Sequence, residues 1–276
     1  MTFHFAAVFY NKNKLHTLPL AKEVCALLQN KGLSAVLISD FSQLDEKNPP
    51  DLIISMGGDG TTLNCARYAS ARNIPIFGIN CGTLGFLAAC EKTAFEQQLT
   101  AILEGDFVIC ERLLLQVQIE QANERKEFLA LNDCVIRAAQ PRAFSLESHF
   151  DGRQIPSYFG DGVIVATPTG STAYSLAAGG PIVTPEVDVL VVTPICPHTL
   201  NQRPLILPAQ GLLEMKPVFK NKEDRAQISI DGQINVLLPE NARVLLSKSE
   251  SKARLLFPKT TDFFSILNRK LQWGKR

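Results

Sequence analysis

Hydrophobic positions along the chain change their spacing near residue 107. Before it, short apolar runs alternate with segments of helical period. Phe5 to Phe9 is a strand candidate. Residues 17–31 then place Val24, Leu27 and Leu28 on one face, with Thr17 as N-cap, Pro19 in the first turn and Gly32 as the stop. Val36 to Ile38, Leu52 to Ile54 and Ile76 to Ile79 read as further strands. Thr62 to Arg72, and a segment opening with the capping box Thr93-x-x-Glu96, read as helices. Strand followed by helix, repeated, predicts an α/β layer with a mainly parallel sheet, in which ligands sit beyond the carboxyl ends of the strands.

After residue 107 the period falls to two. Leu113, Leu115, Val117 and Ile119 alternate with other residues, and Phe150-Asp151-Gly152 and Ile230-Asp231-Gly232 have the form of hairpin turns. Apolar strands recur near Val163, Val189, Leu212 and Val244. This half is expected to be β-rich and sandwich-like. Thr261 to Trp273 returns to helical period, with Phe263, Phe264, Ile266, Leu267 and Leu271 as its apolar face, the pattern of a packing helix.

Composition narrows the classes. With 276 residues, 46% of them hydrophobic, the chain is long enough for two cores. The net charge of +1, spread evenly, predicts no nucleic-acid surface. Seven cysteines without a CxxC pair fit reduced thiols in a cytosol better than a disulfide framework. His4, His16, His149 and His198 are too scattered for a structural zinc. No apolar run reaches the roughly 18 residues that a bilayer crossing needs, and no basic-then-apolar leader opens the sequence, so a soluble cytoplasmic protein without membrane partners is expected.

Two stretches carry candidate chemistry. Gly57-Gly58-Asp59-Gly60-Thr61 follows an apolar strand and opens a helix, where bare backbone N–H groups and the positive helix end suit a phosphate. A carboxylate there repels phosphate, unless Asp59 contacts a hydroxyl that is to receive one. A plain strand-to-helix turn accounts for the same residues. Gly78-Ile79-Asn80-Cys81-Gly82-Thr83-Leu84-Gly85 also follows a strand and could line the same cleft. The second stretch runs from Gly160-Asp161-Gly162 through Thr167-Pro168-Thr169-Gly170-Ser171-Thr172-Ala173-Tyr174-Ser175-Leu176-Ala177 to Gly179-Gly180. Hydroxyls beside an aromatic ring at a helix start suit a nucleoside, and simple helix capping selects the same residue types.

Together the stretches resemble the NAD kinase family. GGDGT, the loop from Gly78 to Leu87, Asn132-Asp133, the run from Asp161 to Gly180, Asp231-Gly232-Gln233, Asp262-Phe263-Phe264 and Leu271-Gln272-Trp273 stand in the family's order. GGDG is shared with lipid and sugar kinases, whereas TPTGSTAYSLAAGGPI is far more specific. The resemblance implies an α/β domain of residues 1–106 rejoined by a C-terminal helix at 258–276, and a β-rich NAD-binding domain of residues 107–257. It also implies a homodimer or homotetramer, with NAD and ATP as substrates and a divalent cation, Mg²⁺, on the donor phosphates rather than on protein ligands. The reaction implied is transfer of the terminal phosphoryl of ATP, or of polyphosphate, to the 2′-hydroxyl of the adenosine ribose of NAD.

On this resemblance Asp59 is the proton acceptor at the 2′-hydroxyl, orienting more than abstracting, with Gly57, Gly58, Gly60 and Thr61 around the phosphates. Asn132 is similar to an adenine-binding asparagine, its amide matching the N6 and N7 edge. Asp133 stands where most members carry glutamate, so a bridging water to the nicotinamide-side ribose is expected. Asp161 matches the nicotinamide-side acid. Thr169, Thr172, Ala173, Tyr174, Ser175, Leu176 and Ala177 match the segment around the adenosine, Gln233 a weaker contact, and Arg142 a further one, for which an exposed strand-end arginine is the plainer account. Two other classes compete: another GGDG kinase acting on a lipid or sugar, and an NAD(H)-binding sensor without activity.

Overall fold

The computed structural model describes residues 2–272, apart from 15, 16, 83, 84, 122, 123, 222 and 240. His16, Thr83, Leu84 and Trp273 of the sequence reading thus lie outside the described residues. Two compact units emerge: residues 1–112 with 251–276, and residues 113–250. These bounds differ from the 106/107 and 257/258 divisions read from the sequence, because Val108–Gln121 and Arg243–Phe257 are long unbroken strands that run from one unit into the other.

The first unit opens with β1 (Phe5–Tyr10), α1 (Leu18–Asn30), β2 (Ser34–Ile38), β3 (Leu52–Gly57), α2 (Asp59–Ser70), β4 (Pro75–Asn80), β5 (Cys90–Glu91) and α3 (Phe95–Leu103). The chain continues through β6 (Val108–Gln121), β7 (Glu124–Ala130), β8 (Asp133–Ala138), β9 (Phe144–Phe150), β10 (Arg153–Gly160) and β11 (Gly162–Ala166). A 3₁₀ turn at Thr169–Thr172 leads into α4 (Tyr174–Ala177). Then come β12 (Val189–Ile195), β13 (Leu205–Pro208), β14 (Leu213–Val218), β15 (Ala226–Ile230), β16 (Ile234–Leu237), β17 (Arg243–Phe257) and α5 (Phe263–Leu271).

In the first unit β2, β1, β3 and β4 pair in parallel, and β5 and Arg254–Leu255 of β17 each pair in parallel with β4. β3 and β4 are buried at every position, which is why they read as unbroken apolar runs. Val24 and Leu28 of α1, Leu52, Ile54, Phe77 and Leu99 share one core. Helix α1 begins after Thr17, yet its hydroxyl donates to Lys14 O at 2.8 Å instead of capping the helix. α2 starts at Asp59, three residues before the sequence pattern predicts, because apolar periodicity does not register a first turn of polar residues. The Thr93 capping box does not form: Ala94 is the N-cap of α3 and no side chain caps it. On α5, Ile266 and Leu267 are buried, while Phe264 and Leu271 of the expected apolar face are exposed. Phe263 lies 6.4 Å from the ring of Phe86, and Lys270 sits over the same ring at 5.7 Å.

The second unit is built of antiparallel strands. β10, β9, β14 and the first part of β17 form one ladder, β6 pairs with β7, and β13-β12-β11-β8-β15-β16 form a second sheet. Phe150 pairs with Arg153 across Asp151-Gly152, both at positive φ, as expected for a two-residue hairpin. β11 shows the two-sided burial most plainly. Val163 and Val165 enter the main core, while Ile164 and Ala166 face a smaller one with Val135, Val183 and Val191. The segment after β11 thus covers the outer face of the second sheet, and its small residues let it lie close.

Candidate active site

In the first unit, Asp59 occupies the first turn of α2 after N-cap Gly58. Its Oδ2 accepts from Phe86 N at 2.8 Å and its Oδ1 from Leu87 N at 3.0 Å. The catalytic candidate therefore also ties the Gly-Gly-Asp-Gly turn to the loop after β4. Gly85 makes this approach possible, since a Cβ there would stand 1.8 Å from Asp59 Oδ1. Asn80, buried at the end of β4, holds the start of that loop through Gly82: its Oδ1 accepts from Gly82 N at 3.1 Å and its Nδ2 donates to Gly82 O at 3.0 Å. Thr61 is buried and Gly60 exposed. The carboxylate is half-buried, and each oxygen has spent one of its acceptor directions on backbone, leaving another for a hydroxyl.

In the second unit, the turn before β8 is organised by Asp231, which the sequence offered as part of a hairpin and of the Asp231-Gly232-Gln233 motif but with no role of its own. Asp231 Oδ1 accepts from Asn132 N at 2.7 Å and Asp133 N at 3.2 Å, and its Oδ2 accepts from Leu131 N at 3.1 Å. Asp231 N donates back to Asp133 O at 2.9 Å. The opposite side is closed by Thr167, whose N donates to Asn132 O and whose Oγ1 donates to Leu131 O. Gly170 packs on the same carbonyl, where a Cβ would fall 2.0 Å from Asn132 O. With its backbone fixed, the half-buried Asn132 keeps its side-chain amide free of partners among the described residues, as recognition of a base edge requires.

Asp133 behaves differently. It is 4% exposed, its carboxyl has no hydrogen-bond partner among the described residues, and burial pushes it up to about 7, with the nearby Asp231 carboxylate adding to the rise. A near-neutral acid is a donor as well as an acceptor, which an aspartate in water is not.

The hydroxyl-rich stretch spends most of its hydroxyls on itself. Ser171 Oγ donates to Pro168 O at 2.6 Å and accepts from Val183 N at 3.0 Å. Ser175 Oγ lies 2.8 Å from Thr193 Oγ1 in the interior, and Thr172 Oγ1 donates to Thr169 O at 3.1 Å. Thr169 is buried and Leu176 half-buried. Ala173, Tyr174 and Ala177 face outward to different degrees, Tyr174 at 45% exposure. Tyr174, Asp161 and Arg142 line one cavity of about 500 Å³ together with Arg137 and Gln227. Turned to present its amide oxygen, Gln227 accepts from Arg137 Nε and Nη2, both at 2.6 Å. Arg137 escaped the sequence reading because one arginine in a strand carries no motif. Gln233 is exposed on the turn after Asp231.

Among the described residues no three His, Cys, Asp or Glu side chains converge to hold a metal, and no helix is long and apolar enough to cross a membrane. An α/β unit with an aspartate-bearing glycine turn is thus joined in sequence to antiparallel sheets with a folded hydroxyl-rich insert. The chain matches the ATP-NAD kinase N-terminal domain over residues 40–107 and the ATP-NAD kinase C-terminal domain over residues 131–257. An NAD kinase of Geotalea daltonii is 34% identical, covering 98% of this chain and 99% of that protein. An NAD kinase of Treponema denticola is 40% identical over 93% of each. Among solved structures, an NAD kinase from Archaeoglobus fulgidus in complex with ATP superposes with a TM-score of 0.78 at 28% identity, covering 97% of this chain and 98% of that one. Yeast NADH kinase complexed with NADH shares the fold, with a TM-score of 0.87 at 24% identity over 100% of this chain and 90% of that one. The chain belongs to the NAD kinase family.

Proposed function

We propose that this protein transfers the terminal phosphoryl group of ATP to the 2′-hydroxyl of the adenosine ribose of NAD, forming NADP. The observation that carries the reading is the match to both family domains, one containing Asp59 and the other Asn132 and the Thr169–Ala177 segment. The geometry supports a role for each.

Asp59 accepts the 2′-hydroxyl proton at a lone pair not used by Phe86 or Leu87. Two backbone N–H groups draw on the same carboxylate, so it acts chiefly by holding the hydroxyl oxygen in line. That suffices in a loose phosphoryl-transfer transition state, where little charge builds on the attacking oxygen before the donor bond has lengthened. Gly58, Gly60 and the first turn of α2 face the donor phosphates. Asn132 reads the adenine edge, Tyr174 offers its exposed ring, and Asp161 and Arg142 supply polar contacts to the remaining part of the dinucleotide. Asp133 contributes a hydroxyl-like group close to Asn132.

We assign the divalent cation to the donor, as the Mg²⁺–ATP substrate. Inorganic polyphosphate is a second donor to try. We assign the protein to the cytoplasm, as a homo-oligomer. The test is NADP formation from purified protein with NAD, Mg²⁺ and either ATP or polyphosphate, read through an NADP-specific dehydrogenase. NADP from either donor supports the reading, and none from both would sink it.

A further inference from the structure

The carboxyl ends of β3 and β4, two adjacent parallel strands, together with the β1–α1 connection, border a cavity of about 240 Å³. Gly57, Gly58, Cys81 and Gly82 form part of its wall, and Lys14, from the turn between β1 and α1, supplies its cation. Among the described residues no carboxylate lines it. Asp59 follows Gly58 directly, but its carboxylate is held by Phe86 and Leu87 N–H and is not part of the lining.

Lys14 is placed by its own turn. Its N–H donates to Asn11 O at 2.8 Å, and its carbonyl accepts from both Thr17 N at 2.9 Å and Thr17 Oγ1 at 2.8 Å. The ammonium makes no ion pair among the described residues. Burial raises the Cys81 thiol, and the charges of Lys92 and Lys14 oppose that rise, so both ammonium groups lie near the Cys81 wall. Added Cβ atoms at Gly58 and Gly82 would meet nothing within 4 Å, so backbone there is open. An unpaired cation, open glycine backbone and the absence of acid make an anion site. Its volume suits a chain of phosphates and is too small to enclose a nucleoside as well.

We propose that Lys14 binds the phosphate chain of the phosphoryl donor, neutralising it from the β1–α1 turn while the nucleoside lies outside this cavity. The proposal rests on the reaction reading only for the name of the donor, since the site itself is defined by charge and shape. A phosphate chain without a nucleoside, such as inorganic tripolyphosphate, should then bind the same place.

The test is titration calorimetry of Mg²⁺–ATP and of tripolyphosphate into wild type, Lys14→Ala and Lys14→Arg, beside KM values for ATP and NAD. Lys14 is exposed, so the folded state should tolerate both changes. Lys14→Ala should weaken both phosphate ligands about tenfold or more, raise KM for ATP alike and leave KM for NAD within about twofold, with Lys14→Arg recovering most of the loss. Equal binding of both phosphate ligands to wild type and Lys14→Ala would overturn the proposal. Wild type that binds ATP through Lys14 yet forms no NADP would overturn the reaction reading and leave this site standing.

Discussion

Each unit contains an aspartate whose carboxylate grips the backbone of a distant loop, and the two differ in what they have left to give. Asp231, 8% exposed, accepts from three consecutive N–H groups at Leu131, Asn132 and Asp133. Asp59, half-buried at a helix start, accepts from two, at Phe86 and Leu87, one on each oxygen. Asp231 is a positioning residue that sets the backbone from which Asn132 projects. Asp59 fixes its own loop and still has acceptor capacity for a substrate hydroxyl. A hydrogen-bonded carboxylate is thus not excluded from chemistry: the count of bonds per oxygen, and access to the rest, decide between the roles.

The comparison is broken most forcefully at Asp59. Asp59→Ala should lower kcat by roughly 10²–10⁴-fold, the range for loss of a positioned acid–base group, and cost only about 1 kcal/mol of stability at this partly exposed position. Asp231→Ala should do the reverse. It leaves three N–H groups of a buried turn without their acceptor, at about 1–3 kcal/mol each where water cannot replace it, so a loss of several kcal/mol in denaturant unfolding is expected, with NAD binding weakened through Asn132.

Asp133 sharpens the contrast by pH. Its carboxyl titrates near 7 in the folded protein and near ~3.9 when unfolded, so in between the native state holds the extra proton. Stability from this group is full below the unfolded value and is lost as pH rises through about 7. Asp133→Asn should therefore raise unfolding free energy at pH 8 by on the order of 2 kcal/mol and flatten its slope between pH 5 and 7. Denaturant melts across that range measure both.

Gly85→Ala gives the smallest change in chemistry and a direct probe of geometry. The added methyl overlaps Asp59 Oδ1, so the carboxylate must move while remaining present. Turnover should fall about tenfold or more, with NAD affinity nearly unchanged, by steady-state kinetics.

Much of the fold was legible because buried strands announce themselves. β3, β4 and β11 are covered on both faces and appear as plain apolar runs, and the two Asp-Gly hairpins are turns at positive φ. What periodicity missed is polar and local. The first turn of α2 is Asp59-Gly60-Thr61, invisible to an apolar pattern, and the capping motif at Thr93 does not act because the chain enters α3 at Ala94. In the candidate site, the motifs contained Asp59 and Asn132 and also Phe86, Leu87 and Asp231, but not which of them meet. Asp59 meets Phe86 and Leu87 across 27 and 28 residues, and Asp231 meets Asn132 across 99, separations that only the sheet pairing makes short. The hydroxyls of Ser171 and Ser175 looked available in the sequence and are bonded within the protein, since residue type alone does not tell a capping hydroxyl from a free one.

The most direct measurement is NADP formation by Asp59→Ala beside wild type, on protein shown by calorimetry to bind NAD. The account predicts turnover reduced at least a hundredfold with NAD affinity within about threefold. Turnover by Asp59→Ala within tenfold of wild type would contradict it, and would reduce Asp59 to the same structural duty as Asp231.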